Sequence, residues 1–490
     1  MSIFAISNHL KRIVKSTFFI TAGGTLPLLS SVVLLIPYTD NLNTADYGAL
    51  AIYISFALFV QILMNYAVDS YLSVHYYDHH EDETKLKHFL SSISGIVLSI
   101  GLLFIGLFSL LGYFLFPIIF KDTGIEFFPW GFMSVLTGFF NAWFRTYVNI
   151  QVFADRPVKY FLFGLFNFVV TIAISIILIY QFPFSLVGPM WGRLLSGVLI
   201  FLLTFIYGLK EFGIQFKFNL LPEIKTYATP VVLFSLLTWV LGYINNYILT
   251  GLATTSDVGV YDFALKCTLV IEYAGLGITG AINPRIYQLW KKSDQRISTP
   301  EENRYYHVYS ALNIIIIASN ILLLPFIIKL FVSNEQYYSS IQYLPVLCAA
   351  FVFKGLYIMY INPILFYKKT KALPVMLVLT AIVQIVSGIV FIKLFGLWGA
   401  VWSYFLVRPI QIILLRYAAR EIFTFNYNSF KLFWVPLIYV AGVITMWQIQ
   451  MPENFRYGIQ FALAIVLISV AYRNEIKDLP GLFGQSKLTP

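Results

Sequence analysis

About fourteen stretches of roughly twenty mostly apolar residues follow one another almost without interruption along the 490 residues of this chain. That is the length at which an α-helix crosses the hydrocarbon core of a bilayer. Within lipid, backbone N–H and C=O groups must find partners inside the segment or across a closed barrel. Long runs such as Leu90 to Phe116 and Val158 to Tyr180 lack the alternating pattern of barrel strands, so the spans are expected to be helices. Charged residues make up only 11% of the chain, against about 25% in a soluble domain. The expected fold is an all-α polytopic membrane protein with no soluble domain.

The spans fall near 17–37, 47–74, 89–116, 127–150, 158–180, 186–208 and 228–253. The remainder fall near 257–283, 307–332, 342–366, 373–393, 397–416, 431–449 and 456–473. Ile3, Phe4, Leu10, Ile13 and Val14 precede them in a pattern suited to a short interfacial helix. No small-residue cleavage site follows Lys11, Arg12 and Lys15, so a removable signal is not expected.

The formal net charge of +10 suggests nucleic acid at first sight, but no basic block of the kind that tracks a phosphate backbone occurs. Nucleic acid is therefore not an expected partner. The basic residues sit in short connections, and mostly on one side. Twenty-four of the 33 Lys and Arg fall in one alternating set of segments, from Lys11 to Lys487. Four, Lys121, Lys329, Lys393 and Arg456, fall in the other, and five lie inside spans. By the positive-inside rule both termini are cytoplasmic and the number of crossings is even.

An internal repeat is visible at a spacing of 211 residues. Asp46-Tyr47-Gly48 follows the first span and Asp257-Val258-Gly259 follows the seventh. The pattern F-x-L-x-G-x-x-W opens the sixth span from Phe184 to Trp191 and the twelfth from Phe395 to Trp402. Six helices return the chain to its starting side, so the copies share an orientation and are expected to flank a cleft along the membrane normal. The expected division is an N-terminal lobe over 1–215, a C-terminal lobe over 216–427, and a terminal helix pair with a cytoplasmic tail over 428–490.

The most informative residues are charges at lipid depth, each costing at least about 2.5–3.5 kcal/mol to insert and so normally facing protein or water. Arg145, Arg193, Lys266, Lys354 and Arg408 are the cations; Asp69, Asp262 and Glu272 are the acids. Arg145 and Arg193 stand close enough to span ends to snorkel as readily as to line a cleft. Lys354 and Arg408 lie near mid-span, which favours a cavity. Lys266 and Asp262, one helical turn apart, are spaced for an ion pair. Asp69 and Glu272 either balance cations across the lobes or carry a coupling ion. Five cations against three acids suit an anionic cargo such as phosphate or diphosphate.

Other groupings read more plainly. His75, His79 and His80 with Asp78, Glu81, Asp82 and Glu83 form a charged cytoplasmic connector rather than a metal centre. Cys267 and Cys348 lie within spans and suggest neither a disulfide framework nor a metal site. Tyr305-Tyr306 and Tyr337-Tyr338 suit interfacial belts. Pro230, Pro284, Pro363 and Pro409 lie in or beside spans, where they serve as gating bends or plain structural kinks. No G-x-x-x-x-G-K-[ST] motif occurs, so direct ATP drive is not expected, and no cofactor is implied.

Tyr227-Ala228-Thr229-Pro230, Asn245-Asn246-Tyr247-Ile248-Leu249 and Ser256-Asp257-Val258-Gly259-Val260-Tyr261-Asp262-Phe263-Ala264-Leu265-Lys266 form a proline-led helix, a turn and a D-x-G-x-Y segment. With about fourteen helices in two six-helix lobes plus a pair, this resembles the O-antigen (Wzx-type) polysaccharide flippases of the multidrug/oligosaccharidyl-lipid/polysaccharide (MOP) exporter superfamily. Asn245-Asn246 departs from the Asp-Arg pair of many relatives and puts any role at that position in doubt.

The resemblance implies a MATE-like fold in a bacterial inner membrane and movement of undecaprenyl-diphosphate-linked oligosaccharide to the periplasmic leaflet by alternating access. It places Arg145, Lys266, Lys354 and Arg408 on a cationic cleft, to which Arg193 is added as a further candidate; H+ or Na+ coupling at Asp69, Asp262 or Glu272 is an additional expectation from the residues. Partners would be the lipid-linked glycan, membrane lipid, a glycan polymerase and glycosyltransferases. The alternatives are a multidrug exporter of the same superfamily, a peptidoglycan-precursor flippase and, in another class, a membrane glycan polymerase or ligase. Outer segments of only about a dozen residues speak against the last.

Overall fold

The computed structural model describes residues 3–293 and 296–477. The tail beyond 477, including Lys487, and the side chains of Ile3, Phe4, Leu10, Ile13 and Val14 lie outside the described residues. The chain forms two compact units, Met1–Gly259 and Val260–Pro490. In the first, α1 (Ile3–Val33), α2 (Leu35–Asn41), α3 (Thr44–Asn65), α4 (Val68–His79) and α5 (Glu83–Ile119) come first. They are followed by α6 (Phe132–Phe153), α7 (Pro157–Gln181), α8 (Val187–Glu211) and α9 (Leu221–Leu252). Helix α10 (Thr255–Ser293) begins in the first unit and runs into the second.

The second unit continues with α11 (Pro300–Phe331), α12 (Leu344–Ala349), α13 (Lys354–Phe366), α14 (Ala372–Phe395) and α15 (Leu397–Ala419). It ends with α16 (Val435–Gln448), α17 (Glu453–Ala471) and α18 (Arg473–Lys477).

Polar residues between the apolar runs set where helices begin. The Asn43 side chain accepts from the Asp46 amide at 2.8 Å and starts α3. Asp82 accepts from Thr84 and Lys85 and starts α5. Thr299 and Glu302 form a capping box at α11. Each satisfies N–H groups that a helix start leaves without a partner.

Among the described residues, twelve helical segments are long and apolar enough to cross a membrane. The pair Glu335–Ala349 and Lys354–Phe366, bent by 45°, makes a thirteenth when taken as one span. Helix α6 stands in the fourth expected place but is not in that set. It carries Asn141, Arg145, Asn149 and Gln151, and it packs against α3, α4, α5, α7 and α8. A helix enclosed by protein has no need of an apolar surface. Its neighbours answer its polar groups: Asn65 donates to Thr146 Oγ1 at 3.1 Å, and Gln151 donates to Glu211 at 3.3 Å.

The repeated residues meet each other inside the first unit. A Cβ at Gly48 would lie 2.0 Å from the Thr255 carbonyl oxygen, and one at Gly259 would lie 1.9 Å from the Thr44 carbonyl oxygen. Thr44 and Thr255, like Gly48 and Gly259, are 211 residues apart. The contact is therefore reciprocal, and the adjoining Thr44 and Ser256 hydroxyls are 2.6 Å apart. The second shared pattern has a parallel cause. Gly188 packs on the end of α7 and Gly399 on the end of α14, each with its Cβ position within 2.7 Å of a carbonyl oxygen. Helix α9, which opens the second copy, packs on α3 and α4 and so belongs to the first compact unit.

One expectation is overturned. Tyr305, Tyr306 and Tyr337 are not belt residues, because all three are buried within the second unit. Tyr306 and Tyr337 are fully enclosed, and Tyr306 is placed to receive a long hydrogen bond from Asn362 at 3.4 Å.

Candidate functional site

The second unit holds a cationic group built around the broken span. Helix α12 ends at Ala349, the chain turns through Ala350–Phe353, and α13 starts at Lys354. A break at lipid depth frees carbonyl groups that must be satisfied from elsewhere. Buried Asn313 of α11 does this, donating to the Phe351 carbonyl at 2.8 Å and the Val352 carbonyl at 3.3 Å. The result sets Lys354 at the first position of a new helix, where the backbone dipole adds positive potential to the ammonium.

Around Lys354 the packing of α13 on α15 gathers a second cation and three aromatic rings. Lys354 Nζ lies 4.8 Å from the Tyr357 ring centroid. Arg408 stacks over Tyr404 at 4.6 Å and Phe351 at 5.8 Å, and its Nη2 donates to the Tyr404 hydroxyl at 2.7 Å. Cation–π contacts of this kind hold a guanidinium in place without neutralising it. Among the described residues Glu272 of α10 supplies the nearby carboxylate, 3.9 Å from Lys354 Nζ. The Lys354 and Glu272 side chains are 27% and 39% exposed, so both reach open space. Two cations against one acid leave the group with net positive charge, suited to an anion bearing several oxygens.

Two of the other intramembrane cations, Arg145 and Lys266, are more tightly tied. Arg145 of α6 places Nη2 at 2.7 Å and Nε at 2.8 Å from Asp69 Oδ2 of α4. Asp69 follows a break in the second span, where Tyr66 and Ala67 adopt left-handed φ values of 47° and 50°. Lys266 and Asp262 form the pair their spacing predicted, at 2.6 Å. Arg193 lies over the Tyr38 ring at 5.8 Å, and its buried Nε has no hydrogen-bond partner among the described residues. Asp69 and Glu272 thus each face a cation of their own unit. Asn245 and Asn246 are buried in α9. His75 lies between Asp78, at 3.0 Å, and Glu223 of α9, at 3.8 Å.

Sequence reasoning missed the aromatic partners and one polar cluster. Tyr404 precedes Arg408 by four residues and Tyr357 follows Lys354 by three, so helical spacing did carry a signal for both. The cluster of Lys431, Glu475 and His307 had none. Glu475 Oε1 accepts from Lys431 Nζ at 2.6 Å and lies 3.0 Å from His307 Nδ1, fastening α18 to α11. A cavity of about 710 Å³ in the same unit is lined by apolar side chains including Phe391, Trp398, Trp402 and Trp447. It presents no charge to a phosphate.

Residues 13–290 match the model of the family described as "Polysaccharide biosynthesis protein". No curated protein sequence matches the chain. Among solved structures, the lipid II flippase MurJ in an inward closed conformation superposes with a TM-score of 0.69. It is 14% identical over 94% of this chain and 100% of its own. An inward-facing multidrug resistance MATE family transporter of the MOP superfamily gives 0.65, at 15% identity over 81% of this chain and 94% of its own. The MATE multidrug transporter DinF-BH gives 0.57, at 14% identity over 84% of this chain and 96% of its own. At such identities the likeness is one of fold. The family match covers more than half of the sequence, and the chain belongs to the polysaccharide biosynthesis protein family, with the helical fold of the MOP superfamily.

Proposed function

We propose that the protein is a flippase that moves diphosphate-linked oligosaccharide lipids from the cytoplasmic to the periplasmic leaflet of a bacterial inner membrane. The observation that carries this reading is the Lys354–Arg408 pair, two cations at lipid depth with a single loosely held carboxylate 3.9 Å from one of them. Family membership supplies the glycan context, and the cationic group supplies a place for the phosphates. The polyprenyl tail would stay in lipid while the site faces one leaflet and then the other by alternating access.

Both termini would be cytoplasmic. Moving one negative charge outward through a potential negative inside is worth about 2.3 kcal/mol per 100 mV, so export of a diphosphate runs downhill electrically. A proton or sodium ion exchanged against the cargo would enter at Glu272, the carboxylate with the longest ion-pair distance of the three. A glycan polymerase and glycosyltransferases would act after and before this step.

The test is leaflet-resolved detection of lipid-linked sugar in cells carrying Lys354→Ala, Arg408→Ala or both. The reading expects accumulation on the cytoplasmic side at unchanged protein level. Normal transfer by the double variant removes the pair from the mechanism, and drug efflux without lipid transfer replaces the reading with a multidrug exporter.

A further inference from the structure

We propose that Glu272 is a resident counter-anion: its carboxylate occupies the phosphate position beside Lys354 in the unloaded protein and yields it only to a diphosphate. The inference rests on the flippase reading above and adds how the site chooses its cargo.

Three ion pairs at lipid depth can be compared directly. Asp262 holds Lys266 at 2.6 Å and Asp69 holds Arg145 at 2.7 Å, both within hydrogen-bond distance, with the acids 7% and 9% exposed. Glu272 is 39% exposed and stands 3.9 Å from Lys354, beyond the reach of a hydrogen bond. It neutralises by proximity and forms no tight bond. Arg408, within electrostatic reach of both Lys354 and Glu272, has no carboxylate within 4 Å among the described residues. Its hydrogen bond to Tyr404 uses one of the five N–H donors of a guanidinium.

An anion entering this group must displace Glu272. A phosphodiester headgroup brings one charge, replaces one carboxylate, and gains little. A diphosphate brings more charge and more acceptor oxygens, engaging Lys354 and the free donors of Arg408 together, which offsets the displaced carboxylate. The site therefore discriminates by charge number, which ordinary anionic lipids in the same leaflet lack. On the far side of the cycle the carboxylate returns and competes the diphosphate away, so the cargo leaves.

The experiment measures inorganic pyrophosphate binding to the full-length protein in phosphatidylcholine nanodiscs, by thermal shift and calorimetry. Glu272→Gln should bind pyrophosphate about tenfold more tightly than the parent, whereas Glu272→Asp, which keeps the charge, should not. Lys354→Met in the Glu272→Gln background should abolish the gain. Polyprenyl diphosphate should compete with the probe, and phosphatidylglycerol should compete only in Glu272→Gln. A gain of binding cannot come from misfolding.

Leaflet transfer by Glu272→Gln should slow despite tighter binding, because release loses its competitor. If Lys354→Met and Arg408→Gln abolish binding while Glu272→Gln leaves it unchanged, the counter-anion role falls and the flippase site stands. If no variant alters pyrophosphate binding, the phosphate site itself falls with it.

Discussion

Asn313 Nδ2 donates to the Phe351 carbonyl at 2.8 Å and closes the backbone where the tenth span breaks ahead of Lys354. The contact joins α11 to the turn before α13, and it makes the position of the lysine depend on a remote amide. Asn313→Ala would take one of two donors from the Phe351 carbonyl, which also accepts from the Lys354 amide at 3.0 Å, and remove the donor to the Val352 carbonyl, at a cost of about 1–3 kcal/mol. Asn313→Asp should be worse, since it sets an acceptor against acceptors. Thermal unfolding of purified variants, with leaflet transfer measured alongside, checks both.

The Asp69–Arg145 pair should respond unequally to loss of its members. Arg145 is 55% exposed and Asp69 only 9%. Arg145→Ala leaves a buried carboxylate with the long Asn149 contact at 3.5 Å and should cost about 3 kcal/mol, whereas Asp69→Ala leaves an arginine that is already half exposed and should cost about 1 kcal/mol. Removing both should cost less than the sum. A double-mutant cycle on unfolding in nanodiscs measures this, and equal single losses would refute the asymmetry.

Gly48→Ala places a Cβ about 2 Å from the Thr255 carbonyl oxygen, and Gly259→Ala does the same against Thr44. Backbone on both sides must move, so each should lose about 3 kcal/mol or more. The two should be strongly non-additive, because the first displacement relieves the second. Melting temperatures of the singles and the double give the answer.

Glu475 lies beyond the last span. Burial raises its carboxyl, but hydrogen bonds and charge from Lys431, with the nearby His307, outweigh that and leave it below its ordinary value of 4.5. A depressed acid contributes stability that is present above the unfolded value and is lost as pH falls through the folded one. The protein should therefore lose stability on acidification below about pH 4.5. Glu475→Gln should be less stable at neutral pH and lack that part of the acid dependence. Unfolding midpoints between about pH 3.5 and 7 compare the two.

Much of the fold was legible because the bilayer imposes a length on every apolar run. Helices began near polar residues lying between the apolar runs, and the cations stood out because lipid makes them rare. Within one helix, spacing also revealed the Lys266–Asp262 pair. Pairing between helices was not legible. Arg145 meets Asp69 from 76 positions away, and which helix faces which is decided by packing that leaves no periodic mark. The break before Lys354 was equally silent: Ala350-Phe351-Val352-Phe353 contains neither Gly nor Pro, and its support comes from Asn313. The tyrosines at 305, 306 and 337 misled because an amphipathic ring suits a buried polar contact as well as a membrane surface.

The glycine contact between α3 and the start of α10 has a consequence for how this chain can drift. Where a segment touches its own counterpart, a substitution in either copy lands on both, and neither can grow unless the other gives way. The other shared pattern, around Gly188 and Gly399, is held differently, each glycine packing on the helix before it. At Gly48 and Gly259 each segment acts as the template that keeps the other small, so here the likeness coincides with a point of touch.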